Sequence, residues 1–369
     1  MNQLTLPDQR VGRKWYKRPT VPVASGTKET EGKPDFGENM MPKSPIDTLM
    51  EISMGFTMCR SLHVIAELGV ADALGDTPLS AAALASATGT NSDALNRALR
   101  VLSAHGVFAS QDGVYVHTPA SRLLRSDHPQ SMRSFVRMQG IRALWHVWED
   151  FDHALQTGRS AAEKSMPNGF WGYFAENPEH NRLFNDAMTG LTHAQVAGIM
   201  SAYDFSGFKT IADIGGGNGH LLRAVLAANP SAQGVLFDLP HVVEQAKAVP
   251  SERMTFQAGS FFEHTLPICD AYLMKVIIHD WSDREAVEIL RAVRGSAPQH
   301  AKLLPAEFII PEDSKPNWTL FVDLIMLGEL TGKERTKAEF ANLLEESGFR
   351  LDRVIDTGSN THLLESSVI

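Results

Sequence analysis

Apolar positions in the first half of the chain recur at helical spacing and then give way to a predicted hairpin. The helical pattern covers three successive segments: residues 46–68, 80–87 and 91–104. Two short apolar runs follow on either side of Asp112-Gly113, and an Asp-Gly pair in that setting is typical of a β-hairpin turn. Helices followed by a hairpin predict a winged helix.

From residue 210 onward, short apolar runs alternate with helical patterns. Five runs predict strands: residues 210–214, 234–237, 254–257, 271–278 and 302–310. Helical patterns lie between them: residues 221–228, 241–248 and 284–297. This alternation predicts a mostly parallel sheet with helices on both faces, which is an α/β fold. Ligands of such sheets bind beyond the carboxyl ends of the strands, so site residues are expected where strands end.

Composition agrees with a folded protein of two or three domains. Of the 369 residues, 43% are hydrophobic and 21% are charged, which excludes a fibrous or wholly disordered chain. Residues 1–45 contain six prolines and eight Lys or Arg against five acids, and they predict a disordered basic arm. Cys59 and Cys269 lie in no metal-ligand spacing, so we expect neither a metal site nor a disulfide framework. Without an 18-residue apolar stretch or a secretory signal, the chain is predicted to be cytoplasmic, with no membrane contact.

The predicted winged helix has the wrong charge for DNA. Between residues 71 and 118 the cations are Arg97 and Arg100, against four Asp residues, and the whole chain carries a formal charge of −9. Phosphate contacts require Lys and Arg, so this charge disfavours nucleic-acid binding and a DNA-binding regulator. The module is predicted to associate two copies of the chain instead, with the apolar face of residues 46–68 supplying the contact.

A glycine-rich loop, Asp213-Ile-Gly-Gly-Gly-Asn-Gly219, ends the first predicted strand and precedes a helix. Glycines such as Gly215 and Gly217 permit positive φ and close approach of the backbone, and a helix N-terminus offers free N–H groups. The dinucleotide fingerprint needs a third glycine where this chain has His220, which disfavours an NAD-dependent dehydrogenase. The pattern acid-x-Gly-x-Gly-x-Gly is typical of the loop that binds S-adenosylmethionine in Rossmann-like methyltransferases. A tight turn without a ligand is the alternative.

Two further polar residues follow predicted strands. Asp238 lies just over twenty residues after the glycine loop, where a carboxylate can accept hydrogen bonds from both hydroxyls of a ribose. Capping of the next helix is the alternative role for Asp238. His279 follows the fourth apolar run, and an imidazole has the pKa range for removing a proton near neutral pH.

From residue 46 to the C-terminus, the chain resembles the plant caffeate-type small-molecule O-methyltransferases and their bacterial natural-product relatives. Four motifs carry the resemblance, in the family's order: Asp213-Ile-Gly-Gly-Gly-Asn-Gly219, Phe237-Asp-Leu-Pro240, Leu273-Met-Lys-Val-Ile-Ile-His-Asp-Trp281 and Gly332-Lys-Glu-Arg-Thr336. The resemblance implies a homodimer with a mainly helical winged-helix dimerisation domain at residues 46–135. It also implies a helical linker and acceptor-pocket region at residues 136–200 and a Rossmann-like S-adenosylmethionine-binding catalytic domain at residues 201–369.

The same resemblance implies roles for individual residues. His279 would be the general base, oriented by Glu307 and Glu334, because a carboxylate beside an imidazole fixes its tautomer and stabilises the imidazolium. The implied contacts of S-adenosylmethionine are Asp213, Gly215, Gly217, Asp238, Leu239, Ser260, Phe261, Lys275 and Thr192. The implied lining of the acceptor pocket is Trp145, Met188, Met326 and Leu327. Ser260 departs from the family, which usually has Asp there, and a hydroxyl bonds the adenine amino group more weakly than a carboxylate does.

The sequence therefore predicts an S-adenosylmethionine-dependent O-methyltransferase of secondary metabolism. Its acceptor is expected to be a hydroxylated aromatic or conjugated small molecule. An alternative keeps the cofactor but changes the reaction to hydroxylation, decarboxylation or ring formation, and the departure at Ser260 points in that direction. Transfer of a labelled methyl group to product separates the two hypotheses.

Overall fold

The structure is a computed structural model that describes residues 44–249, 251–313 and 315–369. The predicted basic arm, residues 1–45, lies outside these residues except for Ser44 and Pro45, and Pro45 begins the first helix. Contacts divide the described chain into two units, and the boundary, between residues 53 and 54, falls within that helix. In the part of the chain that the structure describes, no helix combines the length and the apolar content needed to cross a bilayer.

Helices and strands cover most of the described chain. The helices are α1 (Pro45–Glu67), α2 (Val70–Leu74), α3 (Ala81–Thr88), α4 (Ser92–Ala104), α5 (Pro119–Arg122), α6 (Arg133–Gln139), α7 (Arg142–Glu149), α8 (Phe151–Thr157), α9 (Ala162–Ser165), α10 (Gly169–Glu176), α11 (Pro178–Ala202), α12 (His220–Ala228), α13 (Pro240–Ala246), α14 (Asp283–Ser296), α15 (Trp318–Glu329) and α16 (Lys337–Glu346). The strands are β1 (Leu79–Ser80), β2 (Phe108–Gln111), β3 (Val114–His117), β4 (Thr210–Ile214), β5 (Gln233–Asp238), β6 (Met254–Ala258), β7 (Ala271–Lys275), β8 (Lys302–Glu307), β9 (Phe349–Asp356) and β10 (His362–Val368).

The predicted winged helix is present between α2 and β3. Ser80 and Asn91 cap α3 and α4, since each side chain accepts a hydrogen bond from a backbone N–H in the first turn. Asp112 and Gly113 have φ of 50° and 81°, the paired positive values of a type I′ hairpin turn between β2 and β3. The short helix α2 is absent from the sequence prediction because five residues are too few to show a helical period.

The C-terminal part of the chain contains one sheet of seven strands in the order β6-β5-β4-β7-β8-β10-β9. The first five strands are parallel, and β10 runs antiparallel to both β8 and β9. Along β4, Ile211 packs into the core under α12, while Ala212 packs into the core on the side of α14. Helices therefore cover both faces, as the sequence predicted, whereas the antiparallel pair at the C-terminus was not predicted.

Two predicted strands are too long. The strand predicted for residues 271–278 ends at Lys275, because Val276 takes a left-handed φ of 56° and the chain turns into a 3₁₀ helix, Ile278–Asp280. The strand predicted for residues 302–310 ends at Glu307, because Ile309 pairs with Arg335 outside the sheet. Both departures lie at the carboxyl edge of the sheet, where chemistry was expected.

Candidate active site

The carboxyl ends of neighbouring strands bring the predicted site residues to one edge. Strand β4 lies between β5 and β7, so the glycine loop after β4 is flanked by Asp238 on one side and Lys275 on the other. The Gly215 N–H donates to the Phe237 carbonyl over 2.8 Å and ties the loop to β5. The edge predicted from strand alternation is therefore the edge at which these residues meet.

The glycine loop has a conformation that other residues would strain. Gly215 and Gly217 have φ of 70° and 57°, and Gly219 has φ of 74° where it begins α12. A Cβ added at Gly216 would lie 2.7 Å from an oxygen of Asp213, so no larger residue fits there. A Cβ at Gly217 would meet open space, which leaves that side of the loop accessible to a ligand.

Asp213 is a buried carboxylate with an unused oxygen. Its side chain is 1% exposed, and Oδ2 has no hydrogen-bond partner among the described residues. Burial raises the pKa of Asp213 to about 7, and the nearby positive charge of Lys275 opposes that rise. An unsatisfied carboxylate oxygen at the glycine loop fits a ligand that brings a positively charged donor, such as an ammonium group.

Asp238 holds the loop from the neighbouring strand. Its Oδ2 accepts the Gly217 N–H over 2.8 Å, and its Oδ1 accepts the Leu239 N–H over 2.7 Å. Burial raises the pKa of Asp238, while these two hydrogen bonds lower it. Helix α13 begins with Leu239 as its cap residue and receives no side-chain cap, so helix capping is not the role of Asp238.

Aromatic rings surround the loop after β6. The Ser260 hydroxyl accepts the Phe262 N–H over 3.3 Å, which shapes the turn. Phe261 and Phe262 each meet Trp281 edge to face, with ring centroids 5.6 and 4.9 Å apart. These rings give the loop an apolar wall, to which Trp281 contributes although it was not among the predicted contacts.

Lys275 and helix α11 meet through an amide that was not predicted. The Lys275 ammonium donates to Gln195 Oε1 over 3.4 Å, and the Gln195 amide nitrogen donates to Asn360 over 3.3 Å. Burial lowers the pKa of Lys275. Thr192 lies one turn before Gln195 and is buried, but its hydroxyl donates to the carbonyl of Met188 within the helix. A Gln inside a helical pattern has no local sequence signal that separates it from other polar residues.

His279 and Glu334 form a buried pair. Imidazole Nδ1 lies 2.6 Å from Glu334 Oε1, and the two residues are 5% and 2% exposed. Burial raises the pKa of Glu334, and the Glu334 N–H donates to Asp323 over 2.9 Å. On the other side of the ring, Nε2 lies 3.2 Å from Asp280 Oδ1, and burial raises the pKa of Asp280 to about 7. Asp280 is therefore an acid at the ring that was not predicted from the sequence.

Glu307 contacts the backbone before His279 rather than its ring. One carboxylate oxygen of Glu307 accepts the N–H groups of Ile277 and Ile278 over 3.0 and 2.8 Å. Burial raises the pKa of Glu307 to about 7. Glu307 therefore fixes the turn that carries His279, while Glu334 contacts the imidazole itself.

The segment Gly332-Lys-Glu-Arg335 docks tightly on the same turn. A Cβ at Gly332 would lie 1.9 Å from the His279 carbonyl oxygen, so this approach requires glycine. The Arg335 guanidinium, fully buried, donates to the carbonyls of Ile278 and Trp281 over 3.1 and 2.9 Å. These contacts place Glu334 beside the imidazole.

Comparison with known proteins assigns the chain. A family model of the O-methyltransferase domain matches residues 148–350, more than half of the chain, and one of the O-methyltransferase dimerisation domain matches residues 50–127. This chain belongs to the O-methyltransferase family. The family is S-adenosylmethionine-dependent, and this enzyme is an S-adenosylmethionine-dependent O-methyltransferase with an N-terminal dimerisation domain. The family resemblance predicted from the four motifs is confirmed.

Proteins similar to this chain include enzymes of mitomycin and calicheamicin biosynthesis. Phenazine O-methyltransferase PhzM of Lysobacter antibioticus is 39% identical over 327 residues, which cover 87% of this chain and 96% of that protein. The mitomycin biosynthesis 6-O-methyltransferase of Streptomyces lavendulae is 36% identical over 320 residues, covering 85% and 91%. CalO1, a methyltransferase of calicheamicin biosynthesis solved with S-adenosylhomocysteine bound, has a TM-score of 0.79 and 33% identity, covering 90% of this chain and 100% of that one.

The four residues predicted to line the acceptor pocket of this O-methyltransferase do not form one cluster. Met326 is buried against Phe308, whose ring centroid lies 5.8 Å from that of His279. Met188 and Leu327 pack instead against the core of helices α6–α11. Trp145 meets His63 edge to face over 5.6 Å and lines a groove of about 570 Å³ between α1 and α4. Met326 is therefore linked to His279 through Phe308.

Proposed function

We propose that this enzyme methylates a hydroxyl group of an aromatic or conjugated small molecule and that His279 is the general base. The observation that carries the proposal is the buried contact of 2.6 Å between His279 Nδ1 and Glu334. A proton on Nδ1 that is donated to Glu334 leaves the lone pair on Nε2. For Nε2 to accept the proton of the acceptor hydroxyl, the hydroxyl must replace Asp280, whose Oδ1 lies 3.2 Å from Nε2. The Glu334 carboxylate stabilises the imidazolium that forms.

The glycine loop and its neighbours fit the methyl donor. When bound, S-adenosylmethionine supplies a methyl group that is already activated by the sulfonium. Asp213 would hold its amino group, and Asp238 would hold the ribose hydroxyls beside the glycine loop. Phe261 would cover the adenine, and the Ser260 hydroxyl would contact its amino group. Much of the rate would then come from the fixed orientation of the two reactants.

We also propose a homodimer located in the cytoplasm. Five apolar side chains near the start of α1 are between 59% and 75% exposed: Ile46, Leu49, Met50, Ile52 and Phe56. An apolar stripe of this size on a helix is typical of a contact with another protein. Met50, Ile52 and Phe56 lie within residues 50–127, which match the family's dimerisation domain, and this supports the proposal. Light scattering should give twice the chain mass for the wild type, and a monomer of unchanged helicity for a double Ile52→Asp, Phe56→Asp variant.

Methyl transfer to 1-naphthol and other simple phenols tests the proposed reaction. We expect label from the S-methyl group in the product and a turnover for His279→Ala that is about a hundred- to ten-thousand-fold lower. Cofactor affinity of the variant should stay unchanged, because the imidazole forms no part of the glycine-loop site. Full turnover in the variant would refute the base assignment, and unlabelled product would favour the alternative reactions.

A further inference from the structure

Glu329 is a buried carboxyl that takes no part in the proposed methyl transfer. It is the last residue of α15 and is 5% exposed, and its side chain forms no hydrogen bond or ion pair with any residue that the structure describes. Burial raises the pKa of Glu329 to about 8. A buried carboxyl without a donor is costly to the folded state, so a group of this kind calls for an explanation.

The position of Glu329 makes its burial less favourable still. A helix C-terminus carries a partial negative charge, so a carboxylate in the last turn is repelled by the helix dipole. The carbonyl of Gly328 beside it is satisfied by the Ser160 hydroxyl over 2.8 Å, and Leu330 follows as the cap residue. Glu329 therefore does not serve to end its own helix.

Glu329 lies on the face of α15 that leads to His279. Val322 and Met326 precede it by seven and three residues, the spacing of one helix face, and both pack against Phe308. The Phe308 ring is 5.8 Å from that of His279. Asp323, on a neighbouring face of the helix, accepts the Glu334 N–H and so connects α15 to the pair of His279 and Glu334. From Asp323 to Glu329 the helix rises about 9 Å.

We infer that Glu329 binds an N–H or O–H donor of the acceptor, so that the acceptor carries an amine or a second hydroxyl remote from the hydroxyl that is methylated. This inference rests on the proposed function and on the sequence prediction that Met326, on the same face of α15, lines the acceptor pocket. A buried polar group discriminates strongly, because an analogue without the donor leaves the carboxyl unpaired. Glu329 is then a specificity-determining residue rather than a catalytic one.

Isosteric probe pairs test the inference. The isomeric aminonaphthols and the matching methylnaphthols differ in a donor but little in size, and their dissociation constants are measured with the full chain saturated with S-adenosylhomocysteine. For at least one isomer we expect the wild type to bind the amino member about tenfold or more tightly than the methyl member. Glu329→Leu should abolish or reverse that preference, and Glu329→Gln should retain part of it, since an amide still accepts a hydrogen bond.

A matched control separates this effect from general damage. Glu149 also ends a helix, α7, but is exposed, so Glu149→Leu should keep the wild-type preference. Unchanged binding of S-adenosylhomocysteine shows that each variant is folded. The inference is overturned if the wild type binds both members of every pair equally, or if Glu329→Leu keeps the preference for the amino member. In either case, methylation of 1-naphthol would still support the proposed function. Failure of every naphthol to bind or to be methylated overturns both.

Discussion

The donor side and the acceptor side of this site are built in different ways. The donor side consists of loops at the ends of adjacent parallel strands, held by backbone contacts such as the Gly217 N–H to Asp238. The proposed acceptor side is built on helix α15, whose Met326 packs against Phe308 beside His279, while Met188 of α11 lies in the separate core of helices α6–α11. Under the proposed function, donor binding depends on short motifs, whereas acceptor choice depends on side chains that can change without moving the sheet.

The largest effect is expected at the junction of the two sides. Glu334→Gln keeps the size of the side chain but removes the carboxylate that fixes the tautomer of His279. We expect turnover to fall by about a hundred- to ten-thousand-fold while the dissociation constant of S-adenosylhomocysteine is unchanged. Steady-state kinetics and calorimetry measure the two quantities. A variant that keeps most of its turnover would show that Glu334 has no role in orienting the base.

On the donor side we expect weaker cofactor binding with little change in turnover. Asp238→Ala removes the acceptor of the Gly217 N–H and the proposed partner of the ribose hydroxyls. Loss of charge-assisted hydrogen bonds should weaken S-adenosylhomocysteine binding about ten- to a hundredfold in calorimetry. Turnover at saturating cofactor should change little. An equal loss in turnover would contradict the separation of donor binding from chemistry.

A smaller effect is expected at Glu329, whose burial on α15 should make the stability of the folded protein depend on pH. The pKa of Glu329 is raised from 4.5 to about 8 in the folded protein, so the folded state binds more protons than the unfolded state between these values. Its contribution to stability is present below about pH 4.5 and is lost as pH rises toward 8. Glu329→Gln cannot ionise and should be more stable than the wild type at pH 8 by about 1–3 kcal/mol, with little difference at pH 5.

Urea unfolding at the two pH values measures the stability of each variant relative to the wild type. Glu149→Gln is the control at an exposed residue, and its stability relative to the wild type should be the same at pH 5 and pH 8. The same stability difference for Glu329→Gln at both pH values would mean that its carboxyl does not titrate between them.

The smallest expected effect concerns the departure at the adenine loop. Ser260→Asp restores the carboxylate that the family usually has, and a carboxylate accepts a hydrogen bond about twice as strongly as a neutral oxygen. S-adenosylhomocysteine should bind a few-fold more tightly to this variant and a few-fold more weakly to Ser260→Ala. Equal affinity in all three proteins would show that residue 260 does not contact the adenine.

Much of the donor side could be predicted from the sequence because its residues end strands. The apolar runs predict β4, β5 and β6 to within about a residue at each end, and parallel strands bring their carboxyl ends together. The pairing of His279 with Glu334 follows from the family motif alone. The contact of Glu307 with the backbone of Ile278 does not, since it depends on the left-handed turn at Val276.

The acceptor side could not be predicted in the same way. Asp323 reaches Glu334 through tertiary packing, and on the donor side Gln195 and Asn360 meet beside Lys275 through packing between elements that are distant in sequence. Glu329 is not distinguishable in sequence from a solvated helical glutamate, and its burial is visible only once α15 is packed. Helical periodicity gives the face on which a residue lies but not the element that the face meets.

The rate of methyl transfer by His279→Ala as a function of pH tests the central claim most directly. Without a base, the acceptor hydroxyl must lose its proton to water, so the rate of the variant should rise with pH up to the pKa of the hydroxyl itself. The wild type should keep a high rate well below that pH, and the ratio of the two rates should shrink as pH increases. A ratio that stays constant across the whole range would contradict the assignment of His279 as the general base.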